Sequence, residues 1–222
     1  LYRNFNDIQV NGEMITVQSG AMLAAVARTA YQNSLTGLEF ASGIPGTIGG
    51  AVVMNAGAYG GEMKHVLREV TVLTKEGEVL AIPAKALELG YRTSVIPKNG
   101  WIVLGAVLQL KKGDPEQILA RMEELKEQRI TKQPLDLPSA GSTFKRPEGY
   151  FAGKLIMDAG LRGFTVGGAQ VSEKHCGFVV NRGDATAADV WELICEVKRR
   201  VKERTGVELE PEVKLLGDFP QW

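Results

Sequence analysis

The sequence predicts an α+β protein in two domains, 1–114 and 115–222, and three observations carry that reading. Helical and two-residue periodicities both occur, but strands and helices do not alternate regularly as they would in a parallel sheet. Asp114-Pro115 supplies an N-cap and a first-turn proline at the start of a long amphipathic stretch, which makes it the natural border. A loop-like segment, QPLDLPSAGSTFKRPEG at 133–149, then precedes a second set of elements.

Taken in order, Ile15–Val17 reads as a short strand, and Ala21–Asn33 places Leu23, Val26, Ala27, Ala30 and Tyr31 at helical spacing, with a stop expected near Gly37. Val70, Val72 and Thr74 alternate up to the turn Lys75-Glu76-Gly77-Glu78, and Val79–Ile82 returns, which is a hairpin pattern. Ile102–Leu110 is almost continuously apolar, as expected of a central strand buried on both faces. The helix opened by Pro115 runs to about Thr131 with Ile118, Met122, Leu125 and Arg129 on one stripe. A helix follows near Gly153–Ala159, then a strand at Phe178–Asn181. A long helix from Thr186 to about Arg204 begins with Thr186 and Asp189 at capping-box spacing, aligns Val190, Ile194, Val197 and Val201, and stops at Gly206. Val207–Leu215 closes as an alternating strand.

Bulk composition narrows the partners. At 222 residues and 44% hydrophobic content the chain can hold a proper core, and 26 basic residues balance 26 acidic ones. No net field therefore draws it to nucleic acid or to an anionic membrane, which leaves small molecules or protein surfaces. No apolar run approaches the roughly 20 residues of a membrane helix, and LYRNFNDIQV lacks the features of a signal peptide, so the protein is expected to be cytosolic. Cys176 and Cys195 read as buried reduced thiols, and no Cys/His spacing resembles a metal site. Because the chain starts at Leu1 and passes almost at once into strand-like sequence, the reading expects it to begin mid-protein.

Four places could carry chemistry. In ASGIPGTIGGAVVMNAGAYGG, 41–61, seven of twenty-one residues are glycine, with apolar spacers that no flexible linker would use. The pattern matches neither the dinucleotide fingerprint nor the P-loop, so it is either a tight packing of backbone on backbone or a wall of N–H groups against a flat or anionic ligand. Tyr91-Arg92-Thr93-Ser94 offers a guanidinium fork for a carboxylate or phosphate, although most such arginines are simply surface groups. Ser142 lies in the loop between domains without a nucleophile elbow, and His175 is a candidate base for it or a structural hydrogen-bonding group. Glu212 shares a charged strand face with Glu208 and Glu210, and periodicity does not set it apart.

In order along the chain, SGIPGTIGGAVVMNAGAYGGE, YRTS, SAGSTFKRP, GGAQVSEKHCGFVVN and LEPEVKLLG resemble the UDP-N-acetylenolpyruvoylglucosamine reductases, the MurB flavoenzymes of peptidoglycan precursor synthesis. The resemblance implies an FAD enzyme that takes a hydride from NADPH and delivers it to the enolpyruvyl ether of UDP-N-acetylglucosamine, giving UDP-N-acetylmuramate. By motif, it makes Arg92, Ser142 and Glu212 the catalytic residues. Arg92 and Glu212 would hold the carboxylate and its developing charge, and Ser142 would protonate the adjacent carbon. It sets Gly43, Ile44, Pro45, Gly46, Thr47, Gly49, Gly50, Ala51, Asn55, Gly57, Ala58, Tyr59 and Gly61 along FAD. Tyr91, Lys145, Arg146 and His175 would lie nearer the substrate's nucleotide and sugar. It also divides the fold into part of an FAD-binding domain and a C-terminal substrate-binding domain.

The fifty positions between Arg92 and Ser142 resemble the shorter family variant, without its extra substrate loop. The family's further N-terminal FAD-binding subdomain has no counterpart in these residues, so the chain is expected to be a piece carrying half of the cofactor site. The rival readings are a non-catalytic UDP-sugar-binding module and a serine hydrolase using Ser142 and His175.

Overall fold

A computed structural model describes residues 4–219. Its contacts divide the chain into two units, Leu1–Gln128 and Arg129–Trp222, whereas the sequence reading sets the border at the start of the helix in which that division falls.

The first unit contains β1 (Ile8–Asn11), β2 (Met14–Gln18), α1 (Leu23–Gln32), β3 (Leu35–Thr36), α2 (Ile48–Val53), β4 (Gly57–Ala58), β5 (Gly61–Glu62), β6 (Leu67–Leu73), β7 (Val79–Pro83), α3 (Ile96–Asn99), β8 (Ile102–Gln109) and β9 (Lys111–Lys112). β1, β2, β8, β6 and β7, in that order, form one antiparallel sheet, and β3 pairs with β9 apart from it. The inner face carries Ile15, Val17, Val70, Val72, Val103, Ala106 and Leu108, and their core cluster also contains Leu23, Val26 and Ala30 of α1 and Ile48 and Val52 of α2.

β8 is the central strand, as its apolar run suggests, but one face only is deeply buried. A bulge at Leu104 lets Val103 and Ala106 point to the same side, so the apolar run contains a shift of face where it suggested two buried faces. The β6–β7 hairpin forms as read. α1 ends at Gln32, short of Gly37, because Ser34 adopts the left-handed conformation (φ +56°) that terminates it.

The helix α4 (Pro115–Lys132) starts on Asp114, whose carboxylate accepts from Glu116 N–H at 2.9 Å, and buries Ile118 and Leu125. The second unit then adds β10 (Ser139–Ser142), α5 (Ala152–Asp158), β11 (Thr165–Val166), β12 (Ala169–Val171), β13 (Phe178–Asn181) and α6 (Ala187–Thr205). β10, β13, β12 and β11 make a four-stranded antiparallel sheet, and Leu193, Ile194, Val197 and Val201 of α6 join its core with Leu155 and Ile156 of α5.

The capping box of α6 is present, Thr186 Oγ1 accepting from Asp189 N–H at 3.1 Å while Asp189 accepts from Thr186 N–H at 2.9 Å, and Gly206 (φ +74°) closes the helix. Of the two thiols, Cys176 is buried but Cys195 only half so, because it lies to one side of the buried stripe of α6.

The alternating strand expected at Val207–Leu215 is not formed. Only a single bridge, Phe144 with Pro211, occurs there, flanked by the bonds from Lys145 N–H to Glu210 O and from Glu212 N–H to Thr143 O. Among the described residues no helix is long and apolar enough to cross a membrane.

One buried polar atom lacks a partner among the described residues, the Ser19 hydroxyl at the end of β2. An unsatisfied buried hydroxyl costs roughly 1–3 kcal/mol, and alanine keeps the Cβ that packs there. Ser19→Ala should therefore raise stability by about 1 kcal/mol, seen as a higher urea midpoint with an unchanged slope. A clear loss of stability would show that the hydroxyl is in use.

Candidate functional site

The glycine-rich segment is an ordered, partly helical structure. Its middle, IGGAVV, is α2, and three backbone bonds bind its start to the β2–α1 connection: Ile48 N–H to Ala21 O at 2.9 Å, Gly49 N–H to Ser19 O at 2.8 Å, and Leu23 N–H to Gly46 O at 3.0 Å. A Cβ on Gly49 would sit 3.0 Å from Ser19 Cβ and 3.2 Å from Ser19 O, so Ser19 would have to give by a few tenths of an ångström to admit any other residue. At Gly46 the requirement is conformational, φ being +121° with open space around.

Gly50 is different. Its φ is ordinary and no atom lies within 4 Å of a Cβ there, so nothing in the described chain calls for glycine. It is exposed, and Gly43, Pro45 and Gly46 are exposed as well, so backbone without a side chain is open to a flat group at positions 43, 46 and 50. Ile44, Thr47 and Gly49 are half-buried, while Ala51 and Asn55 turn their side chains into the unit.

After α2 the chain makes a tight hairpin, Gly57 opposite Glu62 and Ala58 opposite Gly61. Tyr59 (φ +51°) and Gly60 (φ +84°) are successive left-handed residues, the signature of a type I′ turn. A Cβ on Gly57 would fall 2.6 Å from Gly61 O, and the Phe40 ring covers Gly61 so closely that no Cβ fits.

Three polar ties then join 53–57 to 90–94 across the sequence. Ser94 Oγ donates to Val53 O at 2.7 Å, Asn55 Nδ2 to Gly90 O at 2.9 Å, and Arg92 Nη2 to Gly57 O at 3.0 Å. Arg92 is itself left-handed (φ +55°), and its guanidinium carbon lies 5.0 Å from the centroid of the exposed Tyr91 ring. The structure thus brings together, within the first unit, the glycine-rich residues and Arg92 with Tyr91.

In the second unit Ser142 ends the edge strand β10, pairing with Phe178 across a bulge at Gly141 (φ +85°). Its exposed hydroxyl donates a long bond, 3.3 Å, to Phe144 O. The next residue, Thr143, is buried and faces two ways: its N–H donates to Gly177 O at 2.8 Å, and its carbonyl accepts from Glu212 N–H at 2.8 Å. Lys145 N–H donates to Glu210 O at 2.9 Å, and its ammonium pairs with the Glu210 carboxylate.

Glu212 is consequently held beside the residue that follows Ser142, and it is half-buried while Glu208 and Glu210 are exposed. That burial separates it from its neighbours where periodicity could not. Arg146 is exposed, its guanidinium 4.0 Å over the Phe151 ring and its Nε donating to Tyr150 O.

His175 is set in a narrow slot. Its Nδ1 accepts from Gly177 N–H at 3.1 Å, its ring meets Phe178 edge-on at 5.0 Å, and a Cβ on Gly153 or Gly177 would fall 3.2 or 2.9 Å from Cε1. With Nδ1 accepting, the neutral ring carries its proton on Nε2, and burial holds its pKa below the ordinary histidine value. Ser142 and His175 share no hydrogen bond and each is engaged elsewhere, so the nucleophile–base pair of a serine hydrolase is not formed. Among the described residues no group of three His, Cys, Asp or Glu could hold a metal.

The residues that sequence reasoning missed are those that assemble others. Thr143 and Ser94 are short buried polar residues, and their partners lie 36 and 41 positions away, a separation that no local pattern reports.

Two family models match parts of this chain. The family model "UDP-N-acetylenolpyruvoylglucosamine reductase, C-terminal domain" matches residues 133–216, and the model "FAD binding domain" matches residues 1–82. A UDP-N-acetylenolpyruvoylglucosamine reductase of Agathobacter rectalis is 61% identical over 95% of this chain and 67% of its own length. One of Clostridioides difficile is 54% identical over 97% of this chain and 71% of its own length. The crystal structure of a reductase of this name from Thermus caldophilus superposes with a TM-score of 0.81 at 40% identity, covering 94% of this chain and 74% of that one.

Two predictions follow from the geometry. Gly61→Ala should destabilise by several kcal/mol because the Phe40 ring must move, whereas Gly50→Ala should be neutral or stabilise by about 0.5–1 kcal/mol in urea melts. For His175 the folded pKa lies below the unfolded one, so the folded state binds fewer protons between the two values. Stability then rises with pH across that window and is lost as pH falls through about 6.5 toward the folded value. Titration of the His175 ring resonance should give a midpoint below 6.5, and His175→Gln should flatten the slope; a midpoint above 6.5 would contradict the slot.

Proposed function

Since the chain belongs to the UDP-N-acetylenolpyruvoylglucosamine reductase family, we propose that it works in the FAD- and NADPH-dependent reduction of UDP-N-acetylglucosamine enolpyruvate to UDP-N-acetylmuramate. The bound flavin supplies the relay of a hydride from NADPH to the vinyl carbon of the substrate. The exposed backbone at Gly43, Gly46 and Gly50 suits a flat cofactor, and the hairpin Gly57–Glu62 offers backbone beside it.

The roles assigned to the chain's own groups follow from the charge that the reaction creates. Hydride addition leaves the neighbouring carbon and the carboxylate sharing a negative charge. Arg92 holds that carboxylate as a fork donor, and Glu212 bears on the same developing charge with a shared proton. Ser142 delivers the proton to the carbon: a hydroxyl is a weak acid, but an enolate is basic enough to accept from it. Tyr91, Lys145, Arg146 and His175 are assigned to the nucleotide and sugar, His175 as a neutral Nε2–H donor.

The observation that best supports this reading is the bond from Glu212 N–H to Thr143 O at 2.8 Å, which holds the half-buried glutamate against the residue that follows Ser142. A protein that only bound a UDP-sugar would have little need of Arg92, Ser142 and Glu212 together.

Ser142→Ala should leave reduction of the flavin by NADPH intact and slow its reoxidation by substrate by about 10²–10⁴-fold, the usual contribution of a positioned acid. Anaerobic stopped-flow measurement of the two half-reactions reads this directly. Equal loss in both would remove Ser142 from the proton step.

A further inference from the structure

Arg92 can act on a carboxylate only if its unusual backbone conformation is maintained, and Asn55 is placed to maintain it. The Asn55 side chain is 1% exposed and fully engaged: Nδ2 donates to Glu62 Oε2 at 2.8 Å and to Gly90 O at 2.9 Å, and Oδ1 accepts from Lys64 N–H at 2.9 Å. A buried carboxamide with both donors and its acceptor in use cannot turn without leaving several groups unpaired.

Gly90 begins the turn that presents Tyr91 and Arg92. Its N–H donates to Thr93 O at 3.1 Å and its carbonyl accepts from Thr93 N–H at 3.4 Å, so the Asn55 amide grips the base of that turn. At the other end Arg92 Nη2 returns to Gly57 O, two residues beyond Asn55. The links form a closed ring from the Asn55 side chain through Gly90 and Arg92 to Gly57 and back along the backbone. Two members of that ring, Asn55 (φ +42°) and Arg92 (φ +55°), are left-handed non-glycine residues, a conformation that persists only where surrounding bonds enforce it.

The residue type fits the task. Glu62 is held as a carboxylate, first by its bond to Lys64, so an aspartate at 55 would set a second carboxylate against it and against the Gly90 carbonyl. Asparagine also tolerates the left-handed conformation better than most residues.

We infer that Asn55 is a positioning residue for Arg92, acting through the Gly90–Thr93 turn, and that its carboxamide is not a ligand contact. This rests on the reading of Arg92 as the group that holds the substrate carboxylate.

The test compares Arg92→Ala, Asn55→Gly, Asn55→Asp and the double variant Asn55→Gly/Arg92→Ala in the two flavin half-reactions. Glycine accepts the backbone conformation and aspartate keeps the bond to Lys64, so a folding failure in one leaves the other to report. Each Asn55 variant should slow reoxidation by substrate about 10- to 100-fold while flavin reduction by NADPH stays within about twofold of the parent. The double variant should be no slower than Arg92→Ala alone, since the arginine's placement no longer matters once it is gone. A full additional loss in the double variant, or equal loss in both half-reactions, overturns the positioning role. Full reoxidation activity in Arg92→Ala overturns instead the reading of Arg92, and with it the purpose assigned to Asn55.

Discussion

The first unit depends on a constraint between two stretches remote in sequence: residues 53–57 must hold residues 90–94 by side-chain bonds, because no strand pairs them. Ser94, Asn55 and Arg92 each make one of those bonds, at 2.7, 2.9 and 3.0 Å, and each ends on a backbone carbonyl. Polar side chains replace a ladder here because both stretches are bends, with Asn55 and Arg92 left-handed. Such backbone costs roughly 1–3 kcal/mol per residue and must be maintained by its surroundings. The sheet and α1 supply a rigid base, and the bends are where the chain can present a guanidinium outside the regular geometry of strand or helix.

The second unit solves a similar problem with backbone bonds. Thr143 and Lys145 pair with Glu212 and Glu210, so the segment after α6 lies along the segment after β10 without becoming a strand. Leu209, fully buried, anchors that segment in the core, and Val213 packs against the same cluster. With an apolar anchor on each side, the intervening Glu212 is drawn half into the protein.

How much of this was legible in the sequence depends on whether the determining contacts are local. α4, α6 and the β6–β7 hairpin were readable because caps, stripes and turns are local patterns, and the capping box of α6 formed as its spacing indicates. α2 was not readable: two adjacent glycines argue against a helix, and it exists because Ile48 and Val52 are buried while Ser19 and Ala21 accept its first N–H groups. β10, built of serine, alanine and glycine, has no strand propensity and is recruited by β13. Val207–Leu215 shows the opposite failure, a good alternation with no neighbouring strand to complete it. At the candidate site the motifs singled out Glu212, but not that it differs from Glu208 and Glu210 in burial, since that difference comes from a partner segment some seventy positions earlier.

The glycine-rich stretch shows how far a ligand can be inferred from composition. Gly57 and Gly61 are required, and Gly49 favoured, by packing of the chain on itself, and Gly46 and Gly60 are required by their left-handed backbone. A stretch with this many glycines would therefore be needed even by a protein that bound nothing along it. Neither reason covers the other two: Gly43 is exposed, and Gly50 is a helical glycine in open space that costs the fold up to about 1 kcal/mol relative to alanine. A persistent local cost with no return in the chain's own contacts is the better sign of a bound partner. By that criterion the glycine count of this stretch overstates what packing leaves for a ligand to explain, Gly50 on α2 being the clearest such position.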